Sequence, residues 1–453
     1  MRNAAWPMPL DGNDTMGTVF AGTVWFTVYV IGLLLPLTIA LLCDPIDVVR
    51  PFLLELGVAL GFLAYPLMTS EFMLVGRIRS VSVLYGNDVL MYFHKYMGLV
   101  VLLFVAVHPL LASHGDFAQF NPFSSAASPR HGAWSFWLLL ALTLTSRFRR
   151  QIGLGYGAWM VIHIVLAVAI CALALVHVLG VAGYSSSSVV RTVMIGYFIG
   201  FLIPMFRYRV WSYYQMASRR WQVIENRDEG ARVRTLVVKP IGHPGFDFHP
   251  GQFAWIATGH PVTSEQHPIS ISSSAELGSD RRIEFSIASL GDWSGRRVPQ
   301  AAVGSSVYVN GPFGAMSTDR EPGQGFVLIA GGIGITPLRS MMLTIKDRGD
   351  PRPVVLFYAA ATLNDLVFRQ ELEALQRQID LKLVLVLSHP PGDWTGERGH
   401  IDRALLKRYL PKQAMRFQYF ICGPGRMLDA MEEDLVALGI PRSRVHSERF
   451  DVV

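Results

Sequence analysis

Residues 94–108 read HKYMGLVVLLFVAVH, and residues 163–177 read HIVLAVAICALALVH. Each apolar stretch is bracketed by two histidines fourteen positions apart. On a helix that separation is nearly four turns, about 21 Å of rise, and it leaves both rings within roughly 40° of one face. Each stretch lies in a run long enough to cross a bilayer, which takes about 20 residues. One further span separates the two runs, so they point the same way, and His94 faces His163 while His108 faces His177. An ionisable group inside a bilayer is costly and usually functional. A satisfied polar residue within a bundle accounts for one such histidine, but four in two equal spacings point to shared ligands. Neutral imidazole binds iron well, and bundles build cofactor sites from facing helices. Zinc needs three or four ligands on one point, whereas each level here supplies two, the number of axial positions on a haem. His94, His108, His163 and His177 are therefore the candidate metal ligands, for two haems.

Outward from these runs, six segments are apolar enough to span, near 17–43, 52–74, 89–112, 132–146, 154–181 and 189–207. The 453-residue chain is 51% hydrophobic and 16% charged, against about 25% charged for a soluble domain. That excludes a disordered chain, a coiled coil and a purely soluble protein. Residues 211–453 carry ordinary charge and excludes an all-membrane chain. Asp11 and Asp14 precede the first span, so it does not read as a cleaved leader. Alternate connections carry Arg77 and Arg79, then Arg147, Arg149 and Arg150, then Arg207 and Arg209; the opposite ones carry Arg50, Arg130 and Arg191. Lys and Arg collect on the cytoplasmic side, which puts both termini and the soluble half in the cytosol and the chain in the cell membrane as a multi-pass protein. The net charge of +6 follows from this topology, with no nucleic acid partner. Lys95 either meets a haem propionate or snorkels. Cys43, Cys171 and Cys422 are scattered and form no disulfide or zinc pattern.

In the soluble half, WQVIENR, RVRTLVVKP, QFAWIAT, RIEFSIAS and VGSSVYVNGPFG read as short strands of a small antiparallel barrel. Among them lies His267-Pro268-Ile269-Ser270-Ile271-Ser272-Ser273, either a serine-rich turn or a cluster of hydroxyls and amides for a polar ring edge and a phosphate. Beyond residue 326 strand and helix alternate. FVLIA runs into Gly331-Gly332-Ile333-Gly334-Ile335-Thr336-Pro337. Glycines let the backbone approach a phosphate, Thr336 is a good helix N-cap and Pro337 suits the first helical position. The helix N-terminus then attracts an anion. A second strand, FQYFI, ends in Cys422-Gly423-Pro424-Gly425, and ligands of open α/β sheets bind at such carboxyl ends. Cys422 on its own is equally an ordinary buried thiol.

With these marks in order, the chain resembles the NADPH oxidase/ferric reductase superfamily in a short bacterial form, from about residue 20 to 450. The resemblance rests on the paired histidines, HPISISS, GGIGITP, and CGPG followed by Glu448-Arg449-Phe450. It implies a multi-domain membrane protein. After a tail (1–16) would come a six-transmembrane-helix haem bundle (17–210), an antiparallel FAD-binding β-barrel (211–320) and an α/β NAD(P)-binding domain (321–453). His267, Ser270 and Ser273 would lie along the flavin, Ser270 nearest its reactive nitrogen. Gly291-Asp292-Trp293-Ser294 would be the diphosphate turn. Cys422 would sit by the nicotinamide, and Phe450 would stack on the isoalloxazine.

Ile269 stands where many relatives have an aromatic residue. Ala361 replaces the arginine expected for a 2′-phosphate, which leaves NADPH and NADH both open as donors; Arg369 is the nearest substitute. The implied function carries electrons from NAD(P)H through FAD and two b haems to an outer acceptor, O2 giving superoxide. A ferric chelate, or a periplasmic partner protein, is the alternative acceptor. A proton-relaying transporter would leave the flavin motif unexplained. The outer loop 113–131, with His114, Arg130 and His131, either steers an anionic acceptor or is plain exposed loop.

Overall fold

The computed structural model describes residues 14–43, 51–74, 85, 87–124, 126–181, 185–260 and 264–449. They form two compact units, Gly17–Ser212 and one containing Tyr213–Val453.

The membrane-type unit contains six helices among the described residues: α1 (Asp14–Cys43), α2 (Phe52–Leu74), α3 (Asn87–Ala112), α4 (Ala127–Phe148), α5 (Tyr156–Gly180) and α6 (Ser188–Met205). Long apolar runs adopt helix because helix satisfies every backbone group within the segment. Their outer faces leave large apolar side chains uncovered, such as Leu103 at 58% and Val161 at 63% exposure, as suits a helix bathed in lipid. The inner faces pack Leu67, Met68 and Phe72 of α2 against Val101, Leu139, Ile170 and Cys171. Helix α2 is the central element, continuously buried from Ala64 to Phe72.

Among the described residues, five helices are long and apolar enough to cross a membrane; α4, the short fourth segment of the sequence reading, is helical but not among them. The fourth segment begins five residues earlier than expected, so Arg130 and His131 lie within its helix and dilute its hydropathy. Helix α4 also carries hydroxyls, which are tolerated because they bond back one turn: Thr143 to Leu139 O (2.9 Å), Thr145 to Ala141 O (2.8 Å) and Ser146 to Leu142 O (2.7 Å). The connection 113–131 is correspondingly shorter and holds a 3₁₀ turn at Phe117–Phe120. Arg77 and Arg79, used above for orientation, fall outside the described residues, as does Arg50.

After α6, Phe206–Val210 forms a π-helical turn leading into α7 (Trp211–Ser218). Six strands then make an antiparallel sheet: β1 (Arg220–Gly230), β2 (Val233–Pro240), β3 (Phe253–Ala257), β4 (His267–Ser270), β5 (Ile283–Ala288) and β6 (Ser306–Phe313). Their order is β4-β3-β6-β1-β2-β5, and an Ile271–Phe285 bridge joins the two ends. The HPIS segment, treated above as a motif among five strands, is itself the sixth strand. Pro268 has no N–H to give a ladder, and β4 occupies the end of the order, where proline is tolerated.

The second half of this unit has six parallel strands: β7 (Phe326–Gly331), β8 (Val354–Ala360), β9 (Leu381–Leu387), β10 (Glu397–Arg398), β11 (Gln418–Cys422) and β12 (Val445–Ser447). Their order is β10-β9-β8-β7-β11-β12. Chain order reverses between β7 and β11, the switch point at which such sheets open a crevice. Helices α8 (Ile335–Arg348), α9 (Arg369–Leu375), α10 (Arg403–Tyr409) and α11 (Gly425–Ala437) complete it. Two apolar clusters flank the sheet, one around Leu338, Met341 and Leu356 and the other around Val327, Phe357 and Leu428.

Candidate functional site

Helices α3 and α5 carry the four histidines at two levels. The His94 and His163 ring centroids are 6.1 Å apart, and so are those of His108 and His177, with ring planes at 65° and 74°. Two metal–imidazole bonds of about 2.0 Å in line through one metal, plus the half-width of each ring, give about 6 Å between centroids. Each pair is thus spaced for a single iron between its rings. Among the described residues no three His, Cys, Asp or Glu side chains gather as a metal cage, so each level offers two donors.

Every ring has its Nδ1 engaged. His94 bonds the Glu71 carboxylate, and His108 donates to Gly57 O at 2.7 Å. His163 is 3.3 Å from Ser146 Oγ. His177 is 2.9 Å from Ser128 O and 3.2 Å from Ser128 Oγ. An Nδ1–H held this way fixes tautomer and ring orientation and would make Nε2 the ligating atom for a bound metal. The second level opens on a cavity of about 730 Å³ lined by His108, His177, Gly61, Gly132, Ala133 and Tyr65. A Cβ built on Gly61 would stand 2.8 Å from the His108 ring, and one on Gly132 would stand 2.9 Å from His177 Nδ1. The donor set and the spacing fit a haem at each level, and the cavity with its side-chain-free walls fits one at the second level.

In the soluble unit, the structure brings two of the marked segments together. The His267 ring stacks on Trp293 with centroids 4.0 Å apart, so β4 meets the Gly291–Ser294 turn. Trp293 Nε1 donates to Thr258 Oγ1 at 3.1 Å. Ser294 Oγ accepts from the N–H groups of Leu290 and Gly291 at 2.9 and 3.1 Å, which holds the turn. Burial holds the His267 imidazole below its ordinary range, hence neutral near pH 7. Ser270 is buried, paired in the ladder with Phe253, and Ile269 pairs with Ala254. Ser272 and Ser273 spend their hydroxyls on the sheet: Ser272 Oγ reaches Ser286 Oγ (2.9 Å), and Ser273 Oγ accepts from Glu284 N (3.1 Å). The side chain of Ser273 therefore braces β5, a job the resemblance did not assign to it.

The two loops of the nucleotide half are packed back to back. Parallel pairing sets Cys422 beside Ala330, and Cys422 itself is buried. A Cβ on Gly334 would run into the Cys422 carbonyl, and one on Gly331 would meet Met427 Sδ at 2.6 Å and Pro424 Cδ at 3.0 Å. A Cβ on Gly423 would crowd Met427 Cε at 2.9 Å. Gly332 is different: its φ of +54° favours glycine and its Cα faces open space. The expected cap is displaced. Helix α8 starts at Ile335 with Gly334 as N-cap, so Thr336 and Pro337 are its second and third residues. The 3₁₀ turn Gly332–Gly334 already sets helical entry, Thr336 Oγ1 bonds Ile333 O (3.0 Å), and a first-turn proline forfeits no intrahelical bond. Arg369 pairs with Glu373 at 2.7 Å, and Ala361 follows the last residue of β8. Phe450 and residues 451–453 lie outside the described residues.

A family model described as "Ferric reductase like transmembrane component" matches residues 60–174, and one for an "Oxidoreductase NAD-binding domain" matches residues 328–433. The chain thus joins a ferric reductase-like transmembrane segment to an oxidoreductase NAD-binding segment. These two parts match those of the NADPH oxidase/ferric reductase superfamily. Similar proteins include the NADH-cytochrome b5 reductase 1 of Debaryomyces hansenii, 30% identical over 35% of this chain and 57% of that one. The flavohemoprotein of Oceanobacillus iheyensis is 27% identical over 51% of this chain and 59% of that one. The chain spans between 50% and 59% of the length of these and the neighbouring curated relatives. Among solved structures, the flavohem-like FAD/NAD binding domain of a nitric oxide dioxygenase from Vibrio cholerae has a TM-score of 0.45 at 24% identity, covering 51% of this chain and 97% of that one.

The ferric reductase-like segment and its neighbouring helices also hold partners of the four histidines that spacing alone does not mark. Glu71, Ser146, Ser128 and the Gly57 carbonyl support the histidines from α2 and α4, and none is linked to its partner by a helical repeat. The signal for Glu71 was a carboxylate deep in an apolar run. In the reductase module the overlooked residue is Arg339, on the turn after the glycine loop. It is buried, donates to Ser272 O and Glu284 at 2.8 Å each, and forks onto Glu371 at 2.7 and 2.9 Å. It thereby ties the HPISISS segment to helix α8. Glu448 is also buried and accepts from Ala315 N at 3.1 Å.

Proposed function

We propose that this protein carries electrons from cytosolic NAD(P)H through FAD and two b haems to O2 on the outer side of the cell membrane, releasing superoxide. The observation that carries this reading is the repeated histidine pair, 6.1 Å between rings at both levels. We take 17–210 as the haem bundle, 211–320 as the flavin lobe and 321–453 as the nucleotide lobe. When bound, FAD would supply the conversion of a two-electron hydride into single electrons, the unit a haem takes.

The chain's own residues do the holding. His94 with His163, and His108 with His177, would each hold one haem iron between their rings. With two protein donors at each level, these residues would leave no place on the iron for the acceptor. His267 and Trp293, already stacked, form one wall for the flavin, with Ser270 on the same strand. The Gly291–Ser294 turn offers backbone amides to a diphosphate. Gly332 and the first turn of α8 take the dinucleotide phosphates, and Cys422 with Gly423 and Pro424 edges the nicotinamide. Both termini lie in the cytosol, and a negative-inside potential favours outward transfer of a negative electron by about 2.3 kcal/mol per 100 mV.

The test is a purified protein in lipid nanodiscs given NADH or NADPH. Cytochrome c reduction that superoxide dismutase abolishes, and that stops without oxygen, is expected. Oxygen-independent reduction of a ferric chelate at the same rate would replace O2 by the chelate as acceptor. Nucleotide choice gives a further expectation. Discrimination for a ribose phosphate normally needs a positioned arginine; position 361 is alanine and Arg369 is committed to Glu373. Steady-state kinetics should show both dinucleotides used, with NADPH ahead by ~10-fold or less in kcat/KM, about 1.4 kcal/mol. Ala361→Arg should raise that preference. A wild-type preference in the thousands would show that another cation reads the phosphate.

A further inference from the structure

The four histidine ligands have unequal partners. His108 and His177 lean on backbone carbonyls, His177 also on a serine hydroxyl, and His163 on Ser146. Those groups are neutral. His94 instead bonds a carboxylate, that of Glu71. The contact is enclosed: the Glu71 side chain is 12% and the His94 side chain 22% exposed. The second carboxylate oxygen, Oε1, is buried with no hydrogen-bond partner among the described residues, so little else shares the charge. Among the described residues, Lys95 is exposed and lies over the Tyr96 ring, and Arg149 and His163 both contact the Trp159 ring. A carboxylate accepting from a ligating imidazole makes that imidazole a stronger donor and favours the more oxidised metal.

We propose that Glu71 is a positioning residue that sets the iron held by His94 and His163 at a lower reduction potential than the iron held by His108 and His177. This rests on the haem reading above. The His94 level is the one nearer Met205, where α6 ends and the chain leaves the bundle; the asymmetry therefore gives electrons a downhill step away from that end. One electron is lost at the first level, ferrous to ferric, and gained at the second, ferric to ferrous. No bond forms and no proton moves.

The test is potentiometric titration of the purified full chain, read by the haem absorption bands. Wild type should show two midpoints. In Glu71→Gln, which keeps an acceptor oxygen and removes the charge, one should rise while the other stays. At fixed poise the ferric-to-ferrous ratio of the affected haem should fall at least tenfold, about 59 mV for one electron. Glu71→Asp should stay near wild type. In His108→Leu, with Glu71 intact, the surviving haem should be the lower of the wild-type pair. Unshifted midpoints in Glu71→Gln overturn the inference. If that variant loses a haem, the His108→Leu result decides, and a survivor with the higher midpoint overturns it. A wild-type protein without haem would instead refute the reading on which this one rests.

Discussion

Removing either ligand of the first pair, by His94→Leu or His163→Leu, is expected to eliminate one haem and reduce electron delivery to an outer acceptor to background. The two rings stand on different helices but share one gap of 6.1 Å between centroids, and leucine has no donor atom to replace either. Each single variant should therefore cost as much as the double variant, the behaviour of residues that act as one unit. The reductase module is a separate compact unit, so it should still reduce a small soluble dye with NAD(P)H. Haem per chain, by pyridine haemochromogen, and the two rates check this together. Two intact haems in either variant would contradict the pairing.

The second large effect is expected from a residue with no chemistry of its own. Gly132→Val should displace the His177 ring, since a Cβ there would lie 2.9 Å from Nδ1 and 3.1 Å from Cε1. The neighbour is a ring already fixed by Ser128, so it has little freedom to yield. The outer haem should be lost or turned high-spin, while the His94 level keeps its own. Gly98→Val is the matched control. It lies on the same ligand-bearing helix as His94 and His108, yet a Cβ there meets nothing within 4 Å. Normal spectra in Gly132→Val would mean that the ring is not needed where it stands.

How much of this was legible in the sequence differs by element. Histidine spacing marked the two helices whose rings pair at both levels, because a helical repeat converts sequence distance into a shared face. The glycine loop was legible for a similar reason: strand, turn and helix are contiguous. Elements fixed by distant neighbours were not. Helix α4 starts at Ala127 rather than 132, because Arg130 and His131 read as a loop until packing places them in a helix. HPIS read as a motif, and only its pairing with Phe253–Ile256 makes it a strand. The α8 cap fell to Gly334 rather than Thr336 because a 3₁₀ turn precedes it. Glu71 and Arg339 each meet partners on other elements that no local pattern connects, and their roles emerge from burial and geometry.

The central claim is that this bundle holds two bis-histidine haems. Its most direct test is the haem content and ferric electron paramagnetic resonance spectrum of the purified wild-type chain. The account predicts two b haems per chain, both low-spin with two imidazole ligands. One haem or none with all four histidines intact, or a high-spin iron with an open position, would contradict it.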